Sequence, residues 1–273
     1  MSAATATPRK GVLLLHGLTG APGEMRLVGR RLARAGFAVS TPLLAGHGAD
    51  RRTLLTTTWQ DWLASARAAY HRLAAEVDEV YVAGICVGGA LGLALCAEAP
   101  AIKGAAVYSM TFEYDGWNMP KWATAAPLIQ FFANLPGVRA LAYAEPYPYG
   151  LKDLRLRDLA SRSPDSLVPG GIDRMPVGSI YQMYRLCRHV ERIGPGLVTP
   201  TLIVHAREDD MSHPRNAERL QAALGGPTDL MMLDDSYHMV HVDKQHPLVA
   251  ARTAAFFGAP ALNAIPKRER VDA

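Results

Sequence analysis

Tyr81-Val82-Ala83-Gly84-Ile85-Cys86-Val87-Gly88-Gly89 is the stretch of sequence that decides the fold. An apolar run reaches a cysteine that has a glycine two residues before it and another two residues after it. This is the nucleophile-elbow pattern G-x-S-x-G with cysteine in place of serine. Small neighbours let a strand turn sharply into a helix around a residue in a strained backbone conformation. We therefore predict a strand over residues 80–83, Cys86 at the apex of the turn, and a helix over residues 87–98.

Cys86 has two interpretations at this point. As a nucleophile it would face the free N–H groups and the positive dipole end of the following helix, a position that favours a reactive thiol. As a structural residue it would be a buried cysteine beside a glycine-rich turn. The rest of the chain has to distinguish the two.

Length and composition favour one large α/β domain. The chain has 273 residues, of which 49% are hydrophobic, so it can bury a sizeable core. The net charge is +4 and the isoelectric point is near 9.0, but the basic residues are scattered. Four arginines at helical spacing are expected on a solvated face: Arg26, Arg30, Arg31 and Arg34. No basic stripe interleaved with aromatic residues is present, so nucleic-acid binding is not expected.

Cysteine usage and the N-terminus indicate a cytoplasmic protein. Three cysteines without a disulfide framework suit a reducing compartment. The apolar run over residues 12–15 is too brief for a signal peptide or a membrane span, so no stable membrane insertion is expected. The sequence does not specify an oligomeric state.

Short apolar runs alternate with helical patterns along the chain. Strands are predicted over residues 12–16, 37–41, 80–83, 105–109, 201–205 and 229–233. Helices are predicted over residues 24–35, 59–77, 87–98, 215–224 and 246–257. This alternation is typical of a parallel, doubly wound sheet, whose ligand sites lie at the carboxyl ends of the strands.

The alternation breaks over residues 111–195, which we predict to be a cap or lid inserted into a core of residues 1–110 and 196–258. The segment holds 11 of the chain's 20 aromatic residues and one amphipathic helix over residues 177–192. Its aromatic residues either contact an apolar substrate or pack the cap onto the core. Residues 259–273 are expected to form a flexible tail.

Three residues that follow predicted strands are candidates for a catalytic triad. A thiol or hydroxyl nucleophile needs a base, and the base needs an orienting carboxylate. Cys86, Asp209 and His238 occur in the order nucleophile, acid, histidine. Asp210 is the alternative acid and His241 the alternative histidine. The two histidines lack a neighbouring ligand cluster, so no metal and no cofactor are expected.

The oxyanion that forms during acyl transfer needs preorganised N–H donors. The residue after the nucleophile, Val87, is one candidate donor, and the N–H of Leu18 in the loop after the first strand is the other. Gly17 lets the backbone of that loop approach. His16 and His47 are interpreted as residues that stabilise turns and transfer no proton.

Together these motifs resemble the α/β-hydrolase superfamily, and more closely its bacterial carboxylesterases and monoacylglycerol lipases of the short, capped type. The resemblance covers residues 12–257 and rests on the oxyanion loop, Gly46-His47-Gly48, the elbow, the Asp209 loop and Ser236-Tyr237-His238. Two features depart from the family pattern. The first strands of the fold are expected to be missing or much reduced, and the family's serine is Cys86 here. The motif G-x-C-x-G-G around Cys86 is similar to that of polyhydroxyalkanoate synthases. Dienelactone hydrolases are a further branch of the superfamily that uses a Cys-His-Asp triad.

The resemblance implies acyl transfer through a thioester on Cys86. The expected substrate is a small carboxylic ester, lactone or thioester with an apolar acyl part, including a thioester carried on a partner. Two alternatives stay open. The same cysteine would also serve an acyltransferase or cyclase, and the scaffold would also serve a non-catalytic ligand-binding relative. The remaining cysteines are interpreted as core residues, with Cys187 alternatively lining the pocket and Cys96 on the elbow helix.

Overall fold

A parallel sheet of six strands forms the centre of the protein in the computed structural model, which describes residues 8–120, 132–133, 135–163, 168 and 170–258. Its strands are β1 (Lys10–Leu15), β2 (Ala38–Ser40), β3 (Glu79–Ile85), β4 (Ala105–Tyr108), β7 (Thr201–Ala206) and β8 (Thr228–Leu233). Their order across the sheet is β2-β1-β3-β4-β7-β8, and every neighbouring pair is parallel. Two further strands, β5 (Ala142–Tyr143) and β6 (Met175–Pro176), form a small antiparallel pair.

Nine helices in the described residues surround the sheet. They are α1 (Arg26–Arg34), α2 (Arg51–Leu55), α3 (Trp59–Ala74), α4 (Val87–Glu98), α5 (Pro136–Arg139), α6 (Leu154–Arg162), α7 (Val177–Ile193), α8 (Arg215–Ala223) and α9 (His246–Gly258). Short 3-10 turns cover Pro22–Met25 and Gly194–Gly196. No helix in this part of the chain is both long and apolar enough to cross a membrane.

The order of the strands explains where the helices lie. The chain steps from β1 to one side to make β2, and from β3 to the other side to make β4. Because crossovers between parallel strands are right-handed, this reversal puts α1 and α4 on opposite faces of the sheet. α1 packs against α9, whereas α4 packs against α3. Both faces are therefore covered, which is why β1 and β3 are almost continuously apolar and buried.

The segment between β4 and β7 contributes to two separate apolar clusters. Helix α7 packs on α4, and its Met183, Leu186 and Val190 are fully buried in the main core. Helix α6 belongs to a second, smaller cluster, in which Leu151 and Ala160 pack with Met239 and Val242 from the loop after β8. The segment is thus joined to the core at two places.

The structure confirms the α/β-hydrolase fold with its parallel sheet, and all six predicted strands are present to within two residues at each end. The predicted helix 24–35 begins later, at Arg26, because Pro22 starts a 3-10 turn instead. Helix 59–77 ends earlier, at Ala74. Helices α2, α5 and α6 were not predicted. The predicted tail, residues 259–273, lies outside the described residues.

Candidate active site

Cys86 occupies the apex of a sharp turn between β3 and α4. Its φ of 49° and ψ of −112° lie in a region that non-glycine residues rarely adopt. The turn is held because the Cys86 N–H donates to the carbonyl of Tyr108 at 2.8 Å and the Cys86 carbonyl accepts from Ala90 at 3.1 Å. The side chain is nearly buried, with 7% of its surface exposed.

Two glycines make this turn possible. A Cβ atom at Gly88 would lie 2.2 Å from the carbonyl oxygen of Leu15 at the end of β1. A Cβ atom at Gly84 would lie 2.4 Å from the backbone of Gly88. Neither contact is sterically possible, so these glycines are what allow β3, α4 and the end of β1 to meet. This close approach brings the loop after β1 beside Cys86.

His238 and Asp209 form a buried hydrogen-bonded pair. The Nδ1 atom of His238 lies 2.9 Å from Oδ2 and 3.1 Å from Oδ1 of Asp209. Asp209 also accepts backbone N–H groups from Met211 at 2.9 Å and Ser212 at 2.8 Å, which fix its carboxylate. The structure therefore brings Asp209, the first choice of the sequence prediction, to the imidazole.

The electrostatics of the pair follow from burial and mutual charge. Burial lowers the pKa of His238, but the charge of Asp209 and side-chain hydrogen bonds with Asp209 and Cys86 outweigh it and raise the pKa well above its ordinary value. Burial raises the pKa of Asp209, but the charge and hydrogen bond of His238 outweigh it and lower the pKa. The pair thus favours an ionised Asp209 beside a readily protonated imidazole. His238 and Cys86 line the same cavity.

Asp210, the alternative acid, contacts the backbone around His238 instead of its ring. Its Oδ1 accepts from the N–H of His238 at 3.3 Å, and its Oδ2 accepts from Gly150 at 3.1 Å. Burial, followed by the charge of Asp209, raises the pKa of Asp210 to about 6. The Ser109 hydroxyl donates to the His238 carbonyl at 2.7 Å. Sequence reasoning missed Ser109, although a polar residue directly after a buried strand was an available signal.

The loop after β1 passes over the same site. Gly20 donates to the carbonyl of Gly17 at 3.1 Å, and Thr19 adopts a positive φ of 64°. The loop is also held from the inserted segment, because the N–H of Ile172 donates to the Thr19 carbonyl at 2.8 Å. Val87 is the first residue of α4, so its N–H has no intrahelical acceptor. Of the two predicted oxyanion donors, Val87 therefore follows Cys86 directly in the chain, and Leu18 lines the same cavity as Cys86.

A cavity of about 650 Å³ opens above Cys86 and His238. Much of its lining is apolar or aromatic: Leu18, Ile85, Tyr114, Tyr149, Val168, Ile172, Met175, Met211 and Met239. Of the aromatic residues of the inserted segment, Tyr114 and Tyr149 contribute to this lining, whereas Phe112 is buried in the core and Trp117 is 59% exposed. The aromatic residues of the segment thus divide between the cavity lining, the core and the surface.

Three acidic residues also line the cavity: Glu24, Glu145 and the exposed Asp173. Burial is the main reason that the pKa values of Glu24 and Glu145 are each raised to about 7. The Oε1 atom of Glu145 is buried without a hydrogen-bond partner, whereas Glu24 accepts from the backbone of Gly17 at 2.8 Å. Neither residue was identified from the sequence, since an isolated glutamate in a loop or cap carries no distinctive spacing.

Of the remaining histidines, His16 and His47 contact the backbone of turns, whereas His205 Nε2 lies 3.4 Å from Asp209 Oδ2. His16 uses Nδ1 near the Gly17 carbonyl at 3.0 Å and accepts from Leu44 at 3.3 Å, and His47 lies 3.1 Å from the Ala45 carbonyl. Both therefore brace turns. His241 is fully buried before α9. Within the ranges that the structure describes, no group of three or more potential ligands is placed to hold a metal ion.

The other two cysteines are core residues. Cys187 is 3% exposed, and its thiol donates to the Thr111 carbonyl at 3.3 Å. Cys96 is 2% exposed on α4. All three cysteines are free thiols, and of the three only Cys86 lines the cavity.

Comparison with known proteins identifies relatives along almost the whole chain. A thermostable monoacylglycerol lipase from Bacillus sp. (strain H-257) is 28% identical over 249 residues, which covers 90% of each chain. A carboxylesterase from Bacillus subtilis (strain 168) is 26% identical over 246 residues, covering 88% of this chain and 89% of the relative.

Solved structures show the same fold. One from a study of the metagenome-derived lipolytic enzymes LipS and LipT superposes with a TM-score of 0.77 at 26% identity, covering 94% of this chain and 99% of that one. The monoglyceride lipase of Saccharomyces cerevisiae, solved with a substrate analogue, gives a TM-score of 0.75 at 15% identity, covering 94% and 88%. The family model described as "Serine aminopeptidase, S33" (Hydrolase_4) matches residues 6–245. This chain therefore belongs to the Hydrolase_4 family of α/β-hydrolases.

Proposed function

We propose that this protein hydrolyses carboxylic esters, lactones or thioesters with an apolar acyl part, using Cys86, His238 and Asp209 as a catalytic triad. The observation that carries the proposal is the buried pair in which His238 Nδ1 lies 2.9 Å from Asp209 Oδ2, in a cavity that both His238 and Cys86 line. A structural cysteine would need neither a strained apex position nor an oriented imidazole. The largely apolar lining supports an apolar acyl part.

The reaction proceeds in two halves. The Cys86 sulfur attacks the acyl carbon as its proton passes to His238, and the oxyanion accepts hydrogen bonds from the N–H groups of Leu18 and Val87. Collapse of this intermediate forms a thioester and expels the alkoxide or thiolate, which takes the proton from His238. Water then attacks the thioester carbon, again losing a proton to His238, and Cys86 leaves as the free thiol. Asp209 stabilises the imidazolium in each half.

Sulfur at the nucleophile position restricts the acyl donor. A thiolate is a better leaving group than an alkoxide, so the intermediate formed from an ordinary alkyl ester tends to expel Cys86 again. Donors with good leaving groups, such as thioesters, aryl or enol esters and strained lactones, avoid this reversal. The names of both curated relatives refer to lipase or esterase activity, which supports ester over peptide hydrolysis here.

We also propose that residues 111–195 act as a cap over the site. The described part of this segment provides Tyr114, Tyr149 and Met175 to the cavity lining and donates to the oxyanion loop through Ile172. The segment therefore contributes to substrate selection as well as to cover.

Substitution of Cys86 tests the triad. We expect wild-type protein to hydrolyse a butyryl thioester and p-nitrophenyl butyrate, and to show a butyryl adduct on Cys86 by intact-mass and peptide mass spectrometry. Cys86→Ala is expected to lower turnover by about 10³-fold or more and to abolish the adduct. Cys86→Ser is expected to fold and to hydrolyse the oxygen ester, because the oxyanion donors and base remain. Cys187→Ala, which removes another buried thiol, is the matched control.

Full activity in Cys86→Ala would reject Cys86 as the nucleophile. Adding alcohols and amines to the thioester reaction separates hydrolysis from transfer, since an acyltransferase would divert the butyryl group to the acceptor. Release of free acid alone would exclude that alternative. No turnover of any donor, with Cys86 reacting with iodoacetamide no faster than a free thiol, would favour a non-catalytic binding protein.

A further inference from the structure

Glu24 lies directly behind the oxyanion loop. It belongs to the 3-10 turn Pro22–Met25, which follows the loop along the chain. Its Oε2 atom accepts the N–H of Gly17 at 2.8 Å, and only 9% of the residue is exposed. Gly17 immediately precedes Leu18, so the carboxyl group of Glu24 sets the orientation of the peptide that leads into the proposed oxyanion donor.

The loop is built to admit this carboxyl group. A Cβ atom at Gly20 would lie 2.4 Å from Oε2 of Glu24, and one at Gly17 would lie 3.6 Å from the same oxygen. Any larger residue at position 20 would push the carboxyl group away from the N–H that it accepts. The absence of a side chain at position 20 therefore serves the contact between Glu24 and Gly17.

The second oxygen of Glu24 faces a buried histidine. Oε1 lies 3.9 Å from Nε2 of His241, which has no exposed surface and whose two ring nitrogens both lack hydrogen-bond partners. At 3.9 Å the two atoms are too far apart for a hydrogen bond, so neutral His241 gives Glu24 neither a hydrogen bond nor a positive charge that would hold its carboxyl group ionised.

The charged groups around Glu24 favour the neutral form. Burial raises its pKa to about 7, against smaller opposing effects of the Gly17 N–H and His238. Burial lowers the pKa of His241 to about 3, so this histidine is neutral beside it. Glu145 faces the same cavity, and its carboxyl group and that of Glu24 repel each other when both are ionised. Glu24 therefore changes charge in the neutral pH range.

We propose that Glu24 in its protonated form is a positioning residue that orients the His16–Gly17 peptide, and through it the N–H of Leu18, for oxyanion binding, and that its ionisation opposes the reaction. The second effect follows from Coulomb's law, because a carboxylate in the cavity wall repels the negative charge that develops on the acyl oxygen. The inference rests on the proposed function of Leu18 and Cys86 as parts of an acyl-transfer site.

Two substitutions of Glu24 separate its positioning and charge effects. Glu24→Gln keeps an oxygen acceptor for Gly17 and mimics the neutral acid, whereas Glu24→Leu removes the acceptor. With p-nitrophenyl butyrate we expect Glu24→Leu to lower kcat by about tenfold or more with little change in KM, and Glu24→Gln to restore most of it. The ratio of wild-type to Glu24→Gln kcat should fall by about tenfold as the pH rises from 6 to 9. Glu76→Gln is the control, because Glu76 is exposed and lies near Lys10 at the start of β1, whereas the oxyanion loop follows the end of that strand.

A ratio that does not change with pH, or a Glu24→Leu variant with wild-type kcat, would overturn the inference. The amide ¹H–¹⁵N chemical shifts of Gly17 and Leu18 test the role of Glu24 by NMR without requiring catalytic activity. They should titrate near pH 7 in the wild-type protein and not in Glu24→Gln. Absence of that titration rejects the role of Glu24 even in an inactive protein, whereas its presence in a protein without Cys86-dependent turnover rejects only the proposed function.

Discussion

Two adjacent aspartates take different positions around one histidine. Asp209 meets the ring of His238, whereas Asp210 accepts the backbone N–H of His238 and that of Gly150. Sequence reasoning could choose Asp209 because it follows β7 in family order, but it could not assign Asp210. Asp210 accepts the N–H of Gly150 in the inserted segment, 60 residues away along the chain. A local sequence pattern cannot predict a contact over that separation.

Asparagine substitutions distinguish these two positions. Asp209→Asn should lower kcat by about 10³–10⁴-fold with little change in fold, because the imidazole loses its charged partner. Asp210→Asn leaves one of two N–H groups without an acceptor, so it should lower the free energy of unfolding by about 1–3 kcal/mol and affect kcat far less. Steady-state kinetics and urea unfolding of both variants check this. A larger loss of kcat in Asp210→Asn would make it the functional acid.

The strands of the sheet were easier to predict from the sequence than the helices of the inserted segment. Buried parallel strands such as β3 are continuous apolar runs, and the elbow glycines mark where α4 begins. Helix α6 carries mostly polar residues, and its Ala160 is buried only because the loop after β8 packs on it. Its formation depends on a tertiary contact and on the cap of Asp153, whose carboxylate accepts from Arg155 and Leu156.

Helix α7 should unfold together with the core. Leu186 has no exposed surface and belongs to the same apolar cluster as the central strands. Leu186→Ala is expected to lower the free energy of unfolding by about 2–5 kcal/mol in a single cooperative transition. Leu159→Ala, at a 39% exposed position on α6, is the matched control and should cost much less. A separate early transition in urea for Leu186→Ala would show that residues 111–195 form an independent unit.

The molecule as a whole contains buried groups whose pKa values move in opposite directions. Burial lowers the pKa of His16 and His241 to about 3 and that of His47 to about 4. Unfolded histidines bind protons below about pH 6.5, so this contribution to stability is lost as the pH falls from 6.5 toward 3. The raised pKa values of Glu24, Glu145 and Asp210 have the opposite effect. Their contribution to the stability of the folded protein is lost as the pH rises through about 6 to 7.

Replacing one buried histidine should therefore reduce the slope of the unfolding free energy against pH on the acidic side of neutrality. In His47→Gln, the slope of unfolding free energy against pH between 4 and 6.5 is expected to fall by up to one proton, about 1.4 kcal/mol per pH unit. Urea unfolding at several pH values measures this slope. His71→Gln, at an exposed position on α3, is the control. An unaltered slope in His47→Gln would mean that His47 is protonated in the folded protein.

The inserted segment contacts the proposed catalytic site at two separate points. Ile172 donates to the Thr19 carbonyl, and Gly150 both donates to Asp210 and accepts from Met239, the residue after His238. A Cβ atom at Gly150 would lie 3.2 Å from that of His238, and its φ of +70° also favours glycine. In evolutionary terms this segment is not a freely exchangeable module. A chimera carrying a relative's version must reproduce both junctions, so new substrate ranges are expected to arise by single changes in lining side chains such as Met175.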